Sequence, residues 1–167
     1  MKPRDLVLTA FLCALLFASK NVLDSLPNIE LVSLLCILYT LEFPRKAGLA
    51  VLSYYLLYGA FTGFGLWWIS QIHVWALLLL VTYFLKSMTS PLGWAIVNAI
   101  FGFLFGALCA IPYAWMNGIS AAIVWWVNGI PFDLMHGFGN FIVALVLFSP
   151  LRFALQRAKH YFHISSI

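Results

Sequence analysis

Asp133, His136 and Asn140 follow i, i+3, i+7 spacing, which sets a carboxylate, an imidazole and an amide on one stripe of the apolar run Ile130 to Phe148. Ionisable groups at membrane depth are costly and usually face a cavity or a partner, so this stripe must look inward. Two compatible readings follow: a polar wall of a ligand cavity, and a satisfied interhelical hydrogen-bond cluster in which Asp133 pairs with Lys20. A third reading, Asp133 and His136 as the acid/base pair of an intramembrane enzyme, lacks a nucleophile or metal beside them. Further polarity gathers on the same side: Lys20, Asn21 and Asp24 close the first apolar run, and Asn28 and Glu30 open the second.

Tryptophans add surface to this polarity. Trp67, Trp68 and Trp75, then Trp115, Trp125 and Trp126, fall mostly at the ends of apolar runs or in uncharged connections. There they form an interfacial belt. Trp67, Trp68 and Trp126 are also candidate stacking platforms for a flat ligand. Other chemistries find no support. The chain has no GxxxxGK[ST] phosphate loop, HExxH zinc motif or GxSxG elbow. Cys13, Cys36 and Cys109 lie inside apolar runs, without the spacing of a disulfide framework or zinc site. His73 stands alone, and His160 and His163 belong to a polar C-terminal stretch, so no metal site is expected.

The elements that must position these residues are membrane helices. Of 167 residues, 64% are hydrophobic and 8% charged, with a mean hydropathy of +1.00; soluble domains carry about 25% charged residues. The sequence reads as an all-α integral membrane protein, one compact membrane domain over 1–167. Six spans are expected: 6–23, 30–43, 48–63, 67–85, 93–115 and 130–148. The stretch Ile119 to Val127 is too short to cross and reads as a re-entrant or interfacial helix. The first run, without a convincing cleavage site, reads as a retained transmembrane helix.

Charge sets the orientation. With a cytoplasmic N-terminus, Lys2, Arg4, Arg45, Lys46, Lys86, Arg152, Arg157 and Lys159 lie inside, leaving Lys20 as the outside exception among the nine basic residues. Both termini are then cytoplasmic, the net charge of +4 reports topology, and no nucleic-acid partner is implied. Leu26-Pro27-Asn28 and Asn128-Gly129-Ile130-Pro131 are expected to break the chain on the outer side, and Pro112 to kink the fifth span. Small-residue steps at Gly59/Gly63 and Gly102/Gly106/Ala110 are expected to pack the bundle.

Ala10, Ala14 and Ala18 repeat with a four-residue step along one face of the first span. Methyl-sized side chains there let a second helix approach closely, either from the protein's own bundle or from another protein. This row, the segment LPNIELVSLL at 26–35 and the segment IPFDLMHGFGNFIVALVLFSPL at 130–151 together resemble small six-span S components of energy-coupling factor (ECF) vitamin importers. The resemblance covers essentially the whole chain.

It implies an extracellular-side vitamin pocket built by helices four to six and the connection between helices one and two. It also implies that Ala10, Ala14 and Ala18 dock on a transmembrane T component linked to two ATPase subunits. The chain itself would then be no enzyme and would need no cofactor, ATP being used by its partners in the plasma membrane. Substrate-binding candidates are Asn21, Asn28, Trp67, Trp68, Trp126, Asp133, His136 and Asn140. The aromatic richness suits a corrinoid or a thiamine- or pyridoxine-related ligand, whereas Lys20 suits an anion such as pantothenate. A structural or assembly subunit of a membrane complex is the alternative that the alanine row alone would satisfy.

Overall fold

The computed structural model describes residues 3–23 and 28–161. Six helices run through it: α1 (Pro3–Val22), α2 (Val32–Glu42), α3 (Pro44–Thr62), α4 (Leu66–Phe84), α5 (Pro91–Asn117) and α6 (Ile119–Tyr161). No strand occurs among the described residues. Four helices, α1, α4, α5 and α6, are long and apolar enough to cross a membrane among the described residues. Each apolar run of the sequence therefore became a helix, with the fifth and sixth longer than expected. Lys2, Asp24, His163 and the Leu26-Pro27 part of the first expected break lie outside the described residues.

Local chemistry explains the helix ends. Pro44 and Pro91 occupy the first turns of α3 and α5, where a missing N–H costs nothing. The Ser90 hydroxyl accepts the Gly93 N–H at 3.1 Å and caps α5. Gly63 and Gly118 close α3 and α5 with φ of 96° and 86°, a backbone state that a side chain would strain. These sharp stops turn successive helices back on one another.

The centre of the bundle is α2, buried continuously from Val32 to Thr40. At 11 residues it is only about 16 Å long, roughly half a hydrocarbon core. It packs against α3, α4 and α6, so its short apolar surface is enclosed by protein. The most extensive pairing joins α5 to α6. A Cβ on Gly102 would lie 2.8 Å from the Gly137 backbone, so glycine is what lets these two helices cross so closely.

The last helix corrects the sequence reading. Neither a separate re-entrant helix at 119–127 nor a break at 128–131 is seen, since α6 continues through Asn128, Gly129 and Pro131, and again through Pro150. Each proline removes one backbone donor, which long apolar flanks on both sides outweigh. The polar stretch bearing Arg152, Arg157, Lys159 and His160 is likewise helical. The 43 residues of α6 extend about 64 Å, more than a bilayer core requires.

Candidate functional site

All six helices and the segment before α2 converge on a cavity of about 430 Å³. The α1 end contributes Lys20, and Asn28, Ile29 and Glu30 come from the segment preceding α2. Tyr54 and Tyr58, one turn apart, enter from the end of α3, while Trp67, Gln71 and Trp75 follow a four-residue step down α4. Phe105 and Gly106 on α5 face Trp125, Asp133 and His136 on α6. All these positions lie at one end of the antiparallel bundle.

The approach of the pre-α2 segment is specific. Asn28 has φ of 58°, a left-handed state that asparagine tolerates better than most residues. A Cβ on Gly139 would stand 3.3 Å from the Asn28 carbonyl, so the glycine lets this segment lie on α6. Glu30 is thereby brought to His136, whose Nε2 lies 3.4 Å from Glu30 Oε1. Glu30 is held further by Ser33, whose backbone N–H donates to Oε2 at 2.9 Å and whose hydroxyl donates to Oε1.

Asp133 is positioned differently. Its Oδ1 accepts the Gly106 N–H at 2.9 Å, and the carboxyl lies directly over that glycine, where a Cβ would collide with it. The Trp126 indole adds a weaker attraction to the same carboxylate, and Oδ2 is buried with no hydrogen bond of proper geometry. Among the described residues no ion pair joins Asp133 to Lys20; both line the cavity, and His136 pairs with Glu30 instead.

An aromatic wall adjoins these carboxylates. Ring centroids separate Trp67 from Trp125 by 5.9 Å and from Phe105 by 6.1 Å. Phe105 meets the His136 ring at 4.9 Å, and Trp125 stacks on Tyr113 at 4.7 Å. Such contacts leave flat apolar surface beside a few polar groups, the composition of a small-molecule site.

Of the sequence-derived binding candidates, Asn28, Trp67, Asp133 and His136 line the cavity together. The other four are not among its lining residues. Asn21 is exposed and donates to the Phe17 carbonyl at 2.7 Å. Trp68 stacks on Tyr55 at 4.3 Å, exchanges hydrogen bonds with its main chain and hydroxyl, and braces α4 against α3. Trp126 is 39% exposed. Asn140, fully buried, exchanges hydrogen bonds with Asn98 across α5 and α6: the Asn98 amide donates to the Asn140 carbonyl at 3.1 Å, and the Asn140 amide to the Asn98 carbonyl at 3.4 Å.

Lining residues outside the sequence-derived site list include Glu30, Tyr54, Tyr58, Gln71, Trp75 and Phe105. Gln71, a lone amide in an apolar run, and the Tyr54/Tyr58 step were available signals. Among the tryptophans, Trp115 is 91% exposed, as a belt residue would be, whereas Trp75 is buried against Phe101 and Phe105. His73 joins α4 to α5 through the Leu108 carbonyl at 2.9 Å. No group of three or more His, Cys, Asp or Glu suited to a metal occurs among the described residues.

The face of α1 that carries Ala10, Ala14 and Ala18 is exposed, with Val7 and Phe11 beside it. Its opposite face, with Leu12 and Leu16, packs into the bundle core. Comparison with protein-family models, with curated proteins and with solved structures found no match to this chain.

Proposed function

We propose that this chain is the substrate-binding S component of an ECF-type importer in the plasma membrane. In this reading it captures a vitamin or related micronutrient, leaves it chemically unchanged, and delivers it through a T component driven by two ATPase subunits. The observation that carries the reading is the cavity itself. Aromatic walls, a few convergent polar groups and a volume of about 430 Å³ are what a small-molecule site requires.

The outward alanine face supports the docking half of the proposal. Small side chains on a lipid-exposed helix face let a partner helix approach to backbone distance. The positive-inside distribution supports six crossings with cytoplasmic termini, which puts the cavity on the extracellular side. The exposed alanines also favour a second reading, a purely structural subunit of a membrane complex, because such a subunit needs the docking face and no ligand.

Mass spectrometry of small molecules released from detergent-purified protein separates the two. A stoichiometric vitamin is expected if the chain captures substrate. Protein that emerges empty and fails to bind any vitamin added back would leave the assembly reading in its place.

A further inference from the structure

The carboxylate oxygens of the cavity are unequally satisfied. Both Glu30 oxygens are engaged by Ser33 and His136. Asp133 Oδ1 accepts the Gly106 N–H, but Oδ2, in a residue only 7% exposed, has no hydrogen bond of proper geometry, the Trp126 indole supplying only a weaker attraction to this carboxylate. An acceptor in that position calls for a donor. Lys20 also lines the cavity and has an interaction of its own, but forms no ion pair with Asp133 among the described residues.

We propose that the cavity takes a compact aromatic ligand with a cationic or N–H donor edge, seated with that edge on Asp133 Oδ2 and its ring among Trp67, Trp125 and Phe105. This rests on the ligand-capture reading above and narrows it. The faces of aromatic rings attract cations, so wall and carboxylate favour the same ligand charge. An anion would instead stand beside the Asp133 carboxylate, since Glu30 is already engaged by Ser33 and His136. The volume of about 430 Å³ lies near the lower end of the roughly 300–1,000 Å³ typical of ligand sites, which suits one or two rings and disfavours a corrinoid macrocycle.

Benzamidine and benzoate share a ring and a size but differ in charge, which makes them a matched pair of probes. Equilibrium dialysis of the full chain in detergent is expected to give benzamidine at least tenfold tighter binding than benzoate, with thiamine binding and pantothenate not. Asp133→Asn keeps an acceptor for the Gly106 N–H and is expected to weaken benzamidine about 10- to 100-fold, the range of a charge-assisted hydrogen bond. If that variant does not fold, the benzamidine-to-benzoate ratio of the unaltered protein decides. Equal or tighter binding of benzoate or pantothenate would overturn the donor-edge inference and keep ligand capture. Full benzamidine affinity in folded Asp133→Asn would overturn it too. Failure of every probe, in protein that also carries no vitamin, would sink both.

Discussion

Glu42 and Asp133 are buried carboxylates with 5% and 7% exposure, and the bundle treats them in opposite ways. Glu42 ends α2, where Arg152 Nε reaches its Oε1 at 2.8 Å, Gln156 Nε2 the same oxygen at 2.9 Å, and Lys159 Nζ its Oε2 at 3.7 Å. All three partners come from α6, and nearby Lys46 joins Asp5 at 3.1 Å to tie α3 to α1. Asp133 lies about 28 Å further up α6 than Arg152 and receives a single backbone donor on one oxygen. A buried charge that only holds helices together is saturated by the protein. One left short of donors, beside a cavity, belongs to the end that binds.

Among the polar contacts, the largest effect is expected where saturation is broken. Glu42→Ala strands Arg152 and Lys159 near the bundle surface and removes a polar link between α2 and α6. Losing one member of a mostly buried pair is expected to lower stability by about 3 kcal/mol, seen as a lower melting temperature and an earlier SDS-unfolding midpoint. Benzamidine binding at the far end should survive in the fraction that stays folded. An unchanged melt would mean that this end is no clamp.

Glycines at the α5/α6 crossing sharpen the comparison. In Gly102→Ala the new methyl meets backbone, which cannot swing aside, and a loss of about 2 kcal/mol is expected. In Gly106→Ala it meets the Asp133 carboxyl, a side chain that can rotate away. That variant should lose ligand affinity more than stability. Parallel melting and dialysis of the two proteins read the contrast, and identical profiles would erase it.

A smaller effect is expected between the two ends. Asn98→Ala or Asn140→Ala removes a buried interhelical exchange worth about 1 kcal/mol, with benzamidine affinity unchanged because neither residue lines the cavity. A drop in affinity at equal stability would move Asn140 into the site.

These contrasts show what the sequence could convey. Helices were legible because each apolar run is bounded by Pro, Gly or charge, as at Pro44, Gly63 and Gly118. The stripe of Asp133 and His136 was legible because helical spacing is local. Pairings across the fold were not: Glu30 with His136 and Glu42 with Arg152 are more than a hundred residues apart, and only packing chooses between them. Asn140 shared the stripe but sits one turn beyond His136, where the α5/α6 contact has closed and Asn98 answers it. Pro131 misled because proline's local cost was weighed without the long helix that carries it.

The smallest effect on the isolated protein is expected on α1, where the two faces differ as the two ends do. Leu16 is fully buried, and Leu16→Ala should cost about 2–5 kcal/mol as a core truncation. Ala14, on the exposed face, has no neighbour in the bundle to crowd, so Ala14→Leu should stay within about 0.5 kcal/mol and keep ligand binding. What it should lose is close approach of a second helix, read as failure to co-purify with a partner membrane subunit. A stability loss approaching that of Leu16→Ala would place the alanine row inside the protein's own packing and remove the docking argument. A silent variant in both stability and association would leave the alanines as lipid-facing residues, and the cavity would then be the one surviving support for a carrier role.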